Sequence, residues 1–270
     1  MIRRLVRSTA TLFLQGLAVE LTYRIALIQT IFSEIIGMVG LAFFWIAAGR
    51  SDTANAYGYS PHLLMTYFII AGFMSLLAED GLSHNVSFDI RTGKLSAALL
   101  RPFPYIVRPL ARSAALVVVR LAIIAPIGAV LIYYLSPNAF AIIKSGHWGK
   151  NLLAIALAIL IGWSIKCMVG FLAFKMTETW GPELIFLSLS SLASGHYYPS
   201  DILPAQLFTV ATWTPVFYMI GFPTLAIMHK FSAGQFEQLF GRGCLVACLT
   251  IMLANFVWRR GMREFEAIGI

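Results

Sequence analysis

The chain has 270 residues, 59% of them hydrophobic, and carries a formal net charge of +8 at pH 7. Soluble domains are about 45–50% apolar, so a mean hydropathy of +0.79 excludes an ordinary globular fold. The basic residues flank apolar stretches and form no single solvated face, which excludes nucleic acid as a partner and assigns them to orientation and membrane-lipid contact.

A membrane-spanning helix needs about 20 apolar residues. Residues 2–22 are instead amphipathic: Ile2, Leu5, Val6, Leu12, Phe13, Leu17 and Leu21 recur near helical spacing, with Arg3, Arg4, Arg7 and Gln15 largely opposite. Such a helix lies in the interface plane. The apolar stretch is broken by Gln15 and Glu20 and no small-residue cleavage site follows, so the N-terminus is expected to be retained. The first span is predicted over 25–48 and the second over 63–82, introduced by Pro61. A basic, polar segment occupies 84–101. The third span runs over 109–135, the fourth over 151–174, the fifth over 181–197 and the last over 238–258. Between the last two lies an apolar stretch, 202–228, cut by Pro204, Pro215 and Pro223. Proline breaks or kinks helices, so this stretch is predicted to be short re-entrant helices, tolerated at membrane depth only under protein cover. The expected fold is an all-α membrane protein of six transmembrane helices, a single domain over 1–270.

Charge fixes the expected topology. With six spans, fourteen Lys and Arg fall on one side (Arg3, Arg4, Arg7, Arg24, Arg91, Lys94, Arg101, Arg108, Arg112, Lys166, Lys175, Arg259, Arg260 and Arg263) and five on the other (Arg50, Lys144, Lys150, Lys230 and Arg242). The positive-inside rule places the first group, and both termini, in the cytoplasm. Counting 202–228 as a full span would put Arg259, Arg260 and Arg263 outside.

Several chemistries have no residues to carry them. Gly93-Lys94 is followed by Leu95, with no glycine five residues before Gly93, so there is no phosphate-cradling ATP loop. HExxH is absent, no metal site is expected, and no serine, histidine and acid share a location. Cys167, Cys244 and Cys248 lie in apolar segments and read as packing residues.

Two charges sit inside spans. Glu34 is about ten residues, roughly 15 Å, into the first span; Arg120 is about as deep in the third. Each costs about 2.5–3.5 kcal/mol at the bilayer centre. Either Glu34 faces a translocation cavity and selects cationic or amphiphilic cargo, or it pairs with Arg120 and joins two helices. Glu79 and Asp80 end the second span beside the basic segment. Ser188, Ser191 and Ser194 recur every third residue of the fifth span, for close helix packing or for lining a pathway. In 84–101, Ile90, Leu95, Leu99 and Leu100 are expected on one face of a short helix, with Arg91 and Lys94 on the other.

Four runs in order carry a family resemblance. Val19-Glu20-Leu21-Thr22-Tyr23-Arg24 precedes the first span. Asp89-Ile90-Arg91-Thr92-Gly93-Lys94-Leu95 and Leu99-Leu100-Arg101-Pro102 follow the second. Ala193-Ser194-Gly195, Pro199, Asp201 and Leu203-Pro204 close the fifth. Trp258-Arg259-Arg260-Gly261 and Glu264-Phe265-Glu266-Ala267-Ile268-Gly269 end the chain. Together they resemble permease subunits of type-2 ATP-binding-cassette (ABC) exporters, in a bacterial viologen-exporter-like branch. The resemblance covers nearly the whole chain. It implies a plasma (inner) membrane permease, itself no enzyme, that exports a hydrophobic or amphiphilic substrate. It also implies a second permease subunit, identical or homologous, and a cytoplasmic ABC ATPase dimer that holds ATP and Mg, with no cofactor on this chain. Residues 2–22 become a connecting helix. Asp89, Ile90, Arg91, Lys94, Leu95, Leu99 and Arg101 become ATPase-coupling residues, so that Leu95→Asp or Leu99→Asp would uncouple ATPase binding without unfolding the spans. Ser194, Gly195, His196 and Asp201 mark an exit region; Ser194 and His196 replace the commoner apolar residues and imply a more polar exit. The competing readings are an ATP-independent secondary transporter or channel, and an assembly subunit of a membrane enzyme complex.

Overall fold

The structure, a computed structural model, describes residues 2–48, 59–78, 81–101, 104–135, 137–146, 148–176 and 178–265. Glu79, Asp80, Pro102 and the tail from Glu266 to Gly269 lie outside the described residues, as do the side chains of Arg3, Arg4, Arg7 and Arg24. Among the described residues there are helices and turns and no strand.

In chain order the helices are α1 (Ile2–Thr22), α2 (Arg24–Ala48), α3 (Pro61–Ala78), α4 (Leu82–Arg91), α5 (Lys94–Leu99), α6 (Val107–Leu135), α7 (Pro137–Ser145) and α8 (Trp148–Phe171). They continue with α9 (Trp180–Ala193), α10 (Ala205–Ala211), α11 (Pro215–Met219), α12 (Gly221–Ile227) and α13 (Ala233–Glu264). Among the described residues, five stretches are long and apolar enough to cross a membrane: Ile25–Trp45, Pro61–Arg91, Val107–Tyr134, Trp148–Phe174 and Ala233–Glu264. This is an all-α integral membrane protein. The expected fifth span is α9, only 14 residues long, or about 21 Å, against a hydrocarbon core of about 30 Å. It stops where the chain turns sharply at Ser194 and Gly195.

The middle of the bundle is α3, buried almost throughout, with Tyr67, Phe68, Ala71 and Leu76 at 1% exposure or less. It packs against α2, α6 and α12, while α8 carries α4, α11, α12 and α13. Lipid tails are as apolar as leucine, so close packing rather than water exclusion selects this arrangement. By contrast α2 and α13 turn wide apolar faces outward, among them Ile28, Phe32, Phe43, Leu249 and Phe256. Cys244 and Cys248 lie on that outer surface of α13 and only Cys167 is buried, so the expected packing role fails for the first two. In a bilayer, an outward-facing helix surface is itself apolar.

The proline-cut stretch folds as three short helices. Pro204 precedes α10, Pro215 opens α11 and Pro223 lies in the first turn of α12, where a missing N–H costs no helical bond. Phe217, Tyr218, Phe222 and Leu225 are fully enclosed, and Met219 reaches Gly162 near the middle of α8. α13 starts on a reciprocal capping box between Ser232 and Gln235. α1 packs along α6, with Gly16 against Arg112 and Ala115.

Candidate coupling site

After α3, the chain forms two short helices, α4 and α5, joined at Thr92-Gly93. α4 presents three distinct rows. Leu82, Val86 and Ile90, four residues apart, share a helical face and enter a cluster with Leu95, Tyr105, Cys167 and Phe171. Gly170 makes that contact possible: a Cβ there would stand 2.8 Å from Val86 Cβ and 2.9 Å from the Ser83 carbonyl oxygen.

The second row is polar: Ser83, Ser87 and Arg91. The Ser83 hydroxyl donates to Glu183. The Ser87 and Thr179 hydroxyls are 2.6 Å apart and buried. Arg91 Nη1 donates to Glu178 Oε2 at 2.9 Å. All three partners lie at the start of α9. Glu178 also accepts from the backbone N–H of Thr179 (3.1 Å) and Trp180 (3.3 Å), where a helix N-terminus favours a carboxylate. Those N–H groups, the Trp180 bond foremost, with the Arg91 guanidinium, hold the Glu178 carboxyl below its ordinary value.

A third row ties α4 toward α6. Tyr105 Oη donates to Asp89 Oδ2 at 3.2 Å, and Arg112 Nη1 lies 3.4 Å from Asn85 Oδ1. Burial, with Asp89 beside it, pushes the Tyr105 phenol well above its usual value, so it remains a donor. Left outward are His84, Phe88, Thr92, Lys94, Ala97, Leu99, Leu100 and Arg101. Lys94 Nζ sits 4.5 Å from the Phe88 ring centroid.

The expected coupling residues therefore divide. Lys94, Leu99 and Arg101 are exposed, Arg91 and Asp89 are engaged with the bundle, and Ile90 and Leu95 are buried, Leu95 at 0% exposure. Leu95 holds the hairpin to the protein, so Leu95→Asp would place a carboxylate in an apolar cluster and is not the clean uncoupling variant expected. Ser83, Ser87, Phe88, Glu178, Thr179 and Glu183 were not anticipated.

The expected exit residues meet at the other end of α9. Ser194 is fully buried. Gly195 is left-handed at φ +84°, and Tyr67 Oη donates to its carbonyl at 2.6 Å, with the Tyr198 carbonyl at 3.1 Å. His196 lies edge-on to Tyr197, centroids 4.8 Å apart. Asp201 accepts from Tyr59 Oη at 2.6 Å and faces Lys230 Nζ at 3.9 Å. Trp45 Nε1 donates to the Tyr197 carbonyl at 2.8 Å.

Within the bundle, Arg120 is buried on α6 and donates to the Leu76 carbonyl of α3. Glu34 is half-buried on α2. Both helices pack against α3. Among the described residues no cluster of His, Cys, Asp or Glu is arranged to hold a metal.

Compared with known families, residues 26–269 match the model of the ABC-2 family transporter protein. No curated protein matches the chain.

Proposed function

The chain belongs to the ABC-2 family of transporter proteins, and from that premise we propose that it is the permease half of an ATP-driven exporter of hydrophobic or amphiphilic substrates. As the membrane component of an ABC transporter it has a separate ABC ATPase as partner. In our reading that partner is a cytoplasmic dimer, holds ATP and Mg, and grips the outward face of the α4–α5 hairpin. One observation carries this: the α4–α5 hairpin is packed against α8, clamped to the start of α9, and still leaves Phe88, Lys94, Leu99 and Arg101 for another protein.

In the proposed cycle, closure of the ATPases displaces the hairpin as a unit. Ser83, Ser87 and Arg91 pass that displacement to α9, and α3 moves with it. ATP drives the cycle only if the two states bind the ATPase differently. The charge asymmetry supports a cytoplasmic hairpin and cytoplasmic termini in a bacterial inner membrane. α9 and the turn after it make the sixth crossing in this scheme, and α10–α12 are re-entrant, a reading supported by the reach of Met219 to mid-membrane α8. A second permease, identical or homologous, covers the exposed faces of α2 and α9, where Ser188 and Ser191 allow close approach. The bond of Arg120 to α3 supports a structural role for the Glu34 and Arg120 charges. Ser194, Gly195, His196 and Asp201 close the exit side.

The test is co-purification in mild detergent. The chain should bring down an ATP-hydrolysing subunit, and Leu99→Asp should lower its recovery about tenfold, the effect of about 1.4 kcal/mol, with an unchanged melting temperature. Full recovery with Leu99→Asp refutes the hairpin's role. Transport that survives ATP depletion and follows an ion gradient assigns the chain to ATP-independent transporters.

A further inference from the structure

Between α1, α4 and α6 lies a pocket of about 170 Å³ that the proposed cycle does not use. Each helix gives it one face. α1 contributes Leu12, Gln15, Gly16 and Val19, spaced i, i+3, i+4 and i+7. α4 contributes Asn85 and Asp89, and α6 contributes Arg108 and Arg112, each pair four residues apart. Gly16 brings the helices together: a Cβ there would stand 2.8 Å from Ala115 Cβ and 3.2 Å from Arg112 Cα. The pocket is smaller than the roughly 300–1,000 Å³ of sites that enclose a whole small molecule. It fits the polar end of a molecule whose remainder stays outside.

Its charges are unbalanced. Arg108 and Arg112 both line the pocket and both are exposed. Like charges four apart on a helix repel, and Arg108 is the second residue of α6, where a helix N-terminus favours an anion over a cation. Among the described residues the Arg108 guanidinium has no hydrogen bond or ion pair, and Arg112 has only the 3.4 Å contact with Asn85. Asp89 is the one carboxylate in the lining, and it is bonded to Tyr105 rather than to either arginine. Two guanidinium groups against one carboxylate leave one positive charge uncompensated. Depth narrows the choice of anion. Arg108 and Arg112 lie within about 8 Å of the start of the span Val107–Tyr134, the thickness of roughly one headgroup layer. α1 turns Leu14 and Leu21 outward, 62% and 64% exposed, as an interfacial helix does against acyl chains.

We propose that this pocket holds the headgroup of one anionic phospholipid, whose acyl chains remain in the surrounding leaflet. The phosphodiester lies between Arg108 and Arg112, since guanidinium binds phosphate strongly and in a planar fork. Gln15 and Asn85 donate amide N–H groups to its other oxygens, and Asp89 accepts from a headgroup hydroxyl. The one uncompensated positive charge suits a phosphodiester, which is a monoanion. The site uses none of the outward residues assigned to the ATPase, so it stands or falls apart from the proposed cycle. A bound headgroup would bridge α1 to α4 and so join the interfacial helix to the hairpin.

The experiment uses the full chain in mild detergent, given phosphatidylglycerol or phosphatidylcholine with identical acyl chains, and counts retained lipid by native mass spectrometry. The wild type should retain one phosphatidylglycerol in preference to phosphatidylcholine. Arg108→Gln with Arg112→Gln should reduce that preference about tenfold. Arg259→Gln with Arg263→Gln removes the same charge from two exposed arginines four apart on α13, outside the pocket, and should leave the preference intact. A phosphatidylglycerol with a photoreactive headgroup should label peptides containing Gln15, Asn85 or Arg112. Inorganic phosphate in large excess should leave the lipid in place, because it has no acyl chains to anchor it. Equal retention of the two lipids by the wild type, equal losses in the two double variants, or labelling confined to other peptides would each overturn the proposal. Displacement by inorganic phosphate would overturn it too, by assigning the pocket to a free anion. If the pocket variant melts early without lipid, Arg108→Gln alone takes its place, and an unaltered preference there is equally fatal.

Discussion

The two ends of α9 are fastened by different chemistry. The start is held by side chains on α4 through one hydroxyl pair, one hydroxyl–carboxylate bond and one ion pair. Arg91 and Glu178 are 24% and 66% exposed, so water competes for them. The far end is held by buried phenols: Tyr67 at 0% and Tyr59 at 1% exposure, bonded to the Gly195 carbonyl and to Asp201. Between the ends the helix has little lateral packing, with Ser190 its one buried residue. In the proposed cycle, a helix fixed by aromatic groups at one end and by exchangeable polar contacts at the other would pivot about the fixed end. The proposed stroke of the hairpin uses the exchangeable one.

The largest effect is expected at the fixed end. Gly195 has φ +84°, and a Cβ there would come 2.8 Å from Tyr67 Oη and closer still to Ser200 Oγ. Left-handed backbone costs an L-residue roughly 1–2 kcal/mol, and the clash adds to it because Tyr67 cannot move away without losing its bond to the Gly195 carbonyl. Gly195→Ala should therefore lower the melting temperature in detergent more than any other change considered. A wild-type melt would remove the fixed end from the comparison.

Next come two hydroxyl deletions, one at each end. Tyr67→Phe leaves the carbonyls of Gly195 and Tyr198 without their buried donor, a loss of about 1–3 kcal/mol. Ser87→Ala strands the Thr179 hydroxyl, but Ser83 and Arg91 keep their partners, so its cost should sit at the low end, about 1 kcal/mol. The readouts separate the roles. Tyr67→Phe should reduce thermal stability and leave ATPase binding intact. Ser87→Ala should lower the melt less than Tyr67→Phe does, yet reduce transport per ATP hydrolysed. Parallel losses of stability and coupling in both variants would erase the distinction between the ends.

How much of this was readable beforehand follows from the range of each interaction. Apolar runs and proline positions announced the long helices, the amphipathic start and the broken stretch at 202–228, since hydropathy and backbone chemistry are local. The segment 84–101 stood out by charge and position. Its division into buried Leu95 and exposed Leu99 did not, because both are leucines and only their surroundings in space distinguish them: Leu95 sits in the cluster with Phe171 and Cys167, and Leu99 is 41% exposed. The row Ser83, Ser87 and Arg91 is visible at helical spacing, but its partners are about ninety residues downstream. Cys244 and Cys248 misled for a related reason: apolar residues point inward in water, whereas α13 turns them toward lipid.

The smallest effect sharpens the exchangeable end through pH. The Trp180 N–H and the Arg91 guanidinium hold the Glu178 carboxyl below its ordinary 4.5. A depressed carboxylate pKa means the folded state prefers the charged form. Its contribution is therefore complete above about pH 4.5 and is lost as pH falls through the lower folded-state value. Glu178→Gln removes the charge at every pH while keeping an acceptor at the α9 N-terminus. The wild type should lose a small increment of stability on acidification that Glu178→Gln lacks, measured as the difference between their melting temperatures from pH 7 down to pH 3. Because Glu178 is largely exposed, added salt should shrink the difference. Identical acid profiles would mean that the ion pair holds nothing, and that Ser83 and Ser87 alone join α4 to α9.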